Sequence, residues 1–282
     1  MKTLLLTSIA LVAFAANSIL CRLALGAQAI DAESFTIVRL LSGSLALMII
    51  LWFTGGAGNK TSRGSWPASV ALFLYAAAFS YAYISLDTGT GALILFGAVQ
   101  VTMIVLSIRA GNRLHVLEWA GVGTAFAGFV FLILPGVSAP SPSGFLLMSL
   151  AGVAWGIYTL MGKGSKDPLA DTSYNFLRTT PMALILVLMA LSSSAEYSSQ
   201  GILLAVLSGA IASGLGYTIW YTALRGLSTT QAAVVQLSVP VIAAMGGVAF
   251  SEETITLRLL ESAVLILGGI LLVVLGRHRT SI

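Results

Sequence analysis

Charge is almost missing from this sequence. Asp, Glu, Lys and Arg make up 9% of its 282 residues against 57% apolar ones, and mean hydropathy reaches +0.97. A chain so poor in charge cannot cover itself with a water-compatible surface, which excludes an ordinary soluble domain and places the protein in a bilayer. Cysteine is limited to Cys21, so an internal disulfide and a multi-cysteine metal site are both excluded, and its apolar neighbours mark it as a packing residue. Histidine is limited to His115 and His278, both outside the apolar runs. No H-E-x-x-H, G-x-S-x-G or phosphate-cradling loop is present, so no catalytic residue, metal or cofactor is expected and the chain does not read as an enzyme. Lys and Arg outnumber Asp and Glu by 14 to 10, yet they form no basic run or aromatic-basic face, which argues against a nucleic-acid partner.

What is there is a series of long apolar runs. A helix needs about 20 apolar residues to cross roughly 30 Å of hydrocarbon. The sequence predicts ten such spans, at Leu4–Cys21, Phe35–Phe53, Trp66–Leu86, Thr88–Ile108, Leu117–Leu134, Gly144–Met161, Tyr174–Leu191, Gly201–Leu224, Ser228–Phe250 and Ile255–Leu275. A short apolar run followed by Ala13-Phe14-Ala15 also fits a cleaved signal peptide, but that segment has a partner later in the chain, which argues for its retention.

The partner comes from a duplication. The stretch Ser228 to Glu253 repeats Thr88 to Arg113 at a register of 140 residues, laying Thr90 on Thr230, Ala92 on Ala232, Gln100 on Pro240 and Gly128 on Gly268. At a register of 141, Phe14 falls on Trp155, Asn17 on Tyr158, Ser18 on Thr159 and Arg22 on Lys163. The Pro/Ser-rich segment 135–143 separates a first repeat, 1–134, from a second, 144–282, with five spans each. An odd number of spans per repeat makes the halves enter the bilayer in opposite directions. The expected fold is therefore an all-α membrane protein of ten transmembrane helices in two inverted five-helix repeats, with a binding site between them.

Lys and Arg accumulate on the cytoplasmic side of membrane proteins. With the N-terminus inside, the cytoplasmic segments hold Lys2, Lys60, Arg63, Arg109, Arg113, Lys163, Lys166, Arg225, Arg277 and Arg279, while the outer loops hold only Arg22 and Arg258. Both termini are expected in the cytoplasm and the protein in the cell (inner or plasma) membrane.

The segment GYTIWYTALRGLSTTQAAVVQLSVPVIAAMGGVAFSEE, from Gly216 to Glu253, closely resembles the second-half signature of EamA-type carriers in the drug/metabolite transporter superfamily. Arg39 and Arg178 match the arginine that such carriers place early in the second span of each half. One departure is Gln100, where the family often has a proline in the fourth span. The resemblance covers essentially the whole chain and implies efflux of a small molecule, without saying which.

Polar side chains inside spans should face the bundle interior. Phe14, Asn17, Ser18 and Cys21 recur at helical spacing on span one, and Trp155, Tyr158, Thr159 and Gly162 repeat that face on span six. These read as two walls of one cavity or as close helix packing. Tyr217 lies toward mid-span, and Pro240 breaks span nine, freeing a carbonyl near Gln236, with Gln100 in the related position of span four. The expected substrate-binding set is Asn17, Gln100, Trp155, Tyr158, Tyr217 and Gln236. Arg39 and Arg178 read as snorkelling arginines or as gates at opposite ends, with Glu261 as the partner of Arg39 in an outer latch.

The reading that follows is a secondary-active carrier exporting amino acid-like zwitterions or anions by alternating access. Its alternatives are a lipophilic-cation or drug efflux carrier, and a channel-like or non-transport membrane protein. Spans one to nine lack a mid-depth carboxylate, the group a small cation antiporter uses, which favours the first. The expected partners are a small-molecule substrate and the lipid bilayer, with a homodimer left open.

Overall fold

Glycine, proline and the few charged residues punctuate the apolar runs, and they set the helix ends. A computed structural model describes residues 2–54, 63–109, 115–134, 136, 139–191, 198–227, 232 and 235–279, and every regular element among them is helical. The helices are α1 (Lys2–Gly26), α2 (Ala32–Phe53), α3 (Trp66–Tyr83), α4 (Thr88–Arg109), α5 (Val116–Ile133), α6 (Pro142–Gly162), α7 (Pro168–Ala190), α8 (Ser199–Leu224), α9 (Val239–Ser251) and α10 (Leu257–Arg279). Lys60 and Arg113 of the charge pattern, Pro135, Val137 and Ser138 of the linker, and 228–231, 233 and 234 of the repeat lie outside the described residues, as do the side chains of Arg277, His278 and Arg279.

Local chemistry explains the starts. Asp31 accepts from Ser34 N at 2.8 Å at the head of α2. Ser65 and Ser141 accept from Ala68 N and Gly144 N, and each is followed by a proline in the first helical turn, where a missing N–H costs nothing. Asp167 with Pro168 does the same for α7. Pro240 acts likewise: it does not kink a continuous ninth span but stands in the first turn of α9, after a turn in which Ser238 N bonds Val235 O.

Among the described residues seven helices are long and apolar enough to cross a membrane: α1, α2, α4, α5, α6, α8 and α10. α9 is apolar but short, and α3 and α7 each carry several polar side chains. Their polarity is turned inward, since Ser69, Tyr75 and Ser80 on α3 and Asn175 and Thr179 on α7 are all buried. The outside carries the reverse, with Leu4, Trp52, Phe126, Leu188 and Phe250 exposed. Polar inside and apolar outside is the arrangement lipid demands, and the chain is a multi-pass membrane protein.

Helix neighbours fall into related pairs. α2 packs on α7, α4 on α9 and α5 on α10. α3 packs on α6 as α8 packs on α1, α4 on α6 as α9 on α1, and α2 on α8 as α7 on α3. Exchanging α1–α5 for α6–α10 maps this set of contacts onto itself.

Candidate functional site

The middle turns of α8 form a π-helix, Leu207–Leu215, between α-helical ends. The sequence SGAIASG places Ser208 and Ser213, and likewise Gly209 and Gly214, five residues apart, the repeat of a π-turn. Such segments re-aim side chains and cluster at functional sites. Here they turn both hydroxyls inward: Ser208 Oγ donates to Asn17 Oδ1 at 2.5 Å, and Ser213 Oγ lies 3.4 Å from the same oxygen. Gly209 lets α2 come this close, because a Cβ there would sit 2.1 Å from the carbonyl oxygen of Arg39.

Arg39 is the centre of the arrangement. It is 1% exposed, eight residues into α2, and its guanidinium donates from Nε to Ser213 Oγ (3.1 Å) and from Nη2 to the hydroxyls of Tyr217 (3.0 Å) and Tyr75 (3.2 Å). Asn17 Nδ2 donates to Tyr75 as well, at 3.1 Å, and the two tyrosine hydroxyls are 3.2 Å apart. The guanidinium also lies over the rings of Phe79 (4.9 Å) and Tyr75 (5.2 Å). All of these partners are neutral. Arg39 Nη1 has no hydrogen-bond partner, although a buried charge is normally paired with an opposite one. Two N–H bonds of a fixed cation are therefore left without a hydrogen-bond acceptor among the described residues.

An aromatic shell encloses this centre. Trp155 lies 4.5 Å from Tyr217 and 5.0 Å from Tyr75 between ring centroids, and 5.5 Å from Tyr158. Phe14 meets Trp155 edge-on at 5.7 Å and Trp220 at 5.6 Å. The repeat-related faces of α1 and α6 thus face each other across the bundle.

The two ends of the bundle differ. At one end, Arg22 pairs with Glu253 (3.1 Å) and Asp87 (3.3 Å), and Glu253 also accepts from the backbone N–H and the hydroxyl of Thr88. This ties together α1, the α3–α4 turn and the α9–α10 connection. At the other end, Gly64 N and Ser65 N donate to the side chains of Asp171 and Asn175, but a cavity of about 240 Å³ remains between α4, α6 and α8, with Lys163 and Arg225 among its lining residues.

Asn17, Trp155, Tyr158 and Tyr217 are brought together by these contacts. Gln236 is separate: it lines the cavity, and its Nε2 donates to Ala232 O at 3.1 Å, leaving Oε1 unpartnered. Gln100 is buried with Nε2 unpartnered, and among the described residues no hydrogen bond or ring contact joins it to the others. The latch expected between Arg39 and Glu261 is not formed. Arg39 is held by hydroxyls in the bundle core, and Glu261 is exposed on α10. Arg178 lies in the middle of α7, half-buried, bonded to the carbonyls of Arg63 and Tyr174 and set against the ring of Trp66. The ionic closure at the Arg22 end uses Arg22, Asp87 and Glu253 instead. Sequence reasoning missed Tyr75, Ser208 and Ser213; Tyr75 stands one helical turn before Phe79, and the five-residue serine spacing was the readable trace of the π-turn.

A buried polar centre in an apolar-surfaced helical bundle, with a cavity at one end, fits a membrane transport protein. Residues 142–275 match the EamA-like transporter family. An uncharacterized protein of Pseudomonas aeruginosa is 50% identical over 276 residues, covering 98% of this chain and 96% of its own length. A probable amino-acid metabolite efflux pump of Salmonella typhimurium is 26% identical, covering 68% of this chain and 69% of its own. A solved crystal structure shares the fold at a TM-score of 0.64 and 19% identity, covering 96% of this chain and 97% of that one. The chain belongs to the EamA-like transporters of the drug/metabolite transporter superfamily.

Proposed function

We propose that this protein is a secondary-active carrier that exports small zwitterionic or anionic metabolites, amino acids in the first place, by alternating access to a site centred on Arg39. The observation that carries the reading is the buried guanidinium without a carboxylate partner and with Nη1 unused. A substrate carboxylate can accept from Nη1 and, by displacing one tyrosine hydroxyl, from Nη2 as well, the fork geometry that arginine offers and lysine does not. Asn17 and the tyrosine hydroxyls then orient the rest of the molecule, while the rings of Tyr75, Trp155 and Tyr217 take an ammonium face-on. A lipophilic cation finds no opposite charge there and meets a like one. The name of the Salmonella relative agrees with this choice.

Two closures flank the site in this reading. The Arg22–Glu253–Asp87 cluster is the outer gate, and the Phe14, Trp155 and Trp220 rings are the thinner inner one, between Arg39 and the cytoplasmic cavity. Ten spans in two inverted halves, 1–134 and 144–282, are supported by the exchange symmetry of the helix contacts and by the family match falling on the second half. Reporter fusions after Gly136 and after Arg279 are expected to fall on opposite sides of the membrane, the latter in the cytoplasm; both on one side refutes the arrangement.

The function is tested by thermal unfolding of the purified protein in detergent with amino acids, nucleosides and quaternary amines. A ligand that binds only the folded state raises its stability, by about 2.7 kcal/mol at a hundred times Kd. Stabilisation by amino acids is the expected result. Stabilisation by quaternary amines alone contradicts it and leaves a cation carrier.

A further inference from the structure

Arg178 takes no part in the Arg39 centre, and its charge is unanswered. Its guanidinium donates to the carbonyls of Arg63 and Tyr174 through Nη1 alone and lies 6.0 Å from the centroid of the Tyr174 ring. The Arg63 guanidinium lies 5.8 Å from the same centroid, so two cations share one ring. Neither has a carboxylate within ion-pair distance among the described residues. Asp171 gives one oxygen to Gly64 N and the other to Ser165 Oγ. Like charges held this close repel unless an anion joins them. Both can be reached from outside: Arg63 is exposed, and the bond from Arg178 to its carbonyl lies at the surface.

A groove of about 530 Å³ runs along the outer face of the bundle between α3 and α6. Ala71 and Ala154 are its buried floor, and Trp66, Val70, Leu74 and Val153 its exposed rim. Every residue along it is apolar, so within a bilayer hydrocarbon fills it. From Trp66 to Leu74 the helix rises about 12 Å, close to the roughly 15 Å depth of one leaflet's hydrocarbon. Trp66 joins the groove to the cations, since its ring lies at the groove's end and 5.8 Å from the Arg178 guanidinium. An exposed indole at the end of an apolar stretch marks headgroup level.

We infer that the groove and the Arg63–Arg178 pair form a binding site for one anionic phospholipid, its phosphate on the two guanidiniums and one acyl chain between α3 and α6. In the topology proposed above it is a lipid of the cytoplasmic leaflet. A zwitterionic lipid fills the groove equally well but carries its own cation beside the phosphate, so it gains less from two arginines. The site is separate from Arg39 and does not depend on which solute is carried.

The test is native mass spectrometry of the full-length protein in detergent, given equal amounts of phosphatidylglycerol and phosphatidylcholine with identical chains. The wild type is expected to retain the anionic lipid roughly fivefold or more over the zwitterionic one. Arg63→Gln combined with Arg178→Gln should bring that ratio to about one. Lys2→Gln combined with Arg109→Gln removes the same charge from α1 and α4 at the same end, and should leave the ratio within about twofold of wild type. Val153→Phe, which fills the groove from its exposed rim, gives a second route should the arginine variant unfold, and it should lower retention of the anionic lipid about threefold or more. Glycerol 3-phosphate, a head without chains, should not displace the lipid. Equal retention of the two lipids by the wild type, an unchanged ratio in the arginine variant, the same loss in the Lys2 and Arg109 variant, or unchanged retention in Val153→Phe overturns the inference. Displacement by glycerol 3-phosphate also overturns it and leaves a site for free phosphate.

Discussion

Arg39→Met is expected to remove amino-acid binding without harming the fold. A hydrogen bond to a charged group is worth roughly 1.5–3 kcal/mol, so loss of the guanidinium weakens a carboxylate ligand by about tenfold to a hundredfold. The stability effect runs the other way. Arg39 is fully buried and its charge is solvated only by hydroxyls and rings. Replacing a buried charge with an apolar side chain of similar length removes a desolvation cost of several kcal/mol. The tyrosine hydroxyls left behind keep each other at 3.2 Å, and Tyr75 keeps Asn17. The melting temperature of Arg39→Met should therefore equal or exceed that of the wild type, while the ligand-induced rise disappears. Arg39→Lys should also lose the ligand-induced rise, because one ammonium cannot reach Ser213, Tyr75, Tyr217 and a ligand together, but it keeps the buried charge and so should not gain stability. A merely structural arginine gives the opposite pair of results, a lower melting temperature with ligand response retained.

Gly209→Ala is expected to be strongly damaging for the addition of a single methyl. The added Cβ would lie 2.1 Å from the backbone oxygen of Arg39 and 2.2 Å from Ser42 Oγ. A serine can rotate away, but a helix carbonyl cannot, so α2 and α8 must separate. Overpacking of this kind costs about 1–3 kcal/mol, and here the displacement also moves Arg39 away from Ser213. Gly123→Ala is the control: nothing lies within 4 Å of its Cβ, and a helix interior gains about 0.5–1 kcal/mol from the change. Unfolding curves in detergent should shift in opposite directions for the two variants. Equal shifts would mean that α2 and α8 are not packed as described.

Helix positions were largely legible in the sequence, because in this chain a polar or breaking residue ends nearly every apolar run. The expected Thr88–Ile108 became α4, Thr88–Arg109, and Phe35–Phe53 gained one turn at its start, where Asp31 caps the helix. The ninth run was the exception, since Pro240 begins a helix rather than bending one. Within the site, Asn17, Trp155, Tyr158 and Tyr217 could be read from helical spacing and the repeat. Arg39 was visible but its role was not: a snorkelling arginine and a buried one have the same sequence, and only the rotation of α2 against α8 separates them. That rotation depends on a π-turn that adds one residue between Ser208 and Ser213, which a search for α-helical periodicity does not see.

The most direct test of the central claim is counterflow in proteoliposomes preloaded with unlabelled L-leucine, following uptake of labelled L-leucine at equal pH and potential on the two sides. Saturable uptake by the wild type without ATP is expected, and uptake at the level of empty liposomes for Arg39→Met that retains its wild-type melting temperature. Wild-type rates in Arg39→Met, or leucine uptake that requires ATP, would contradict it.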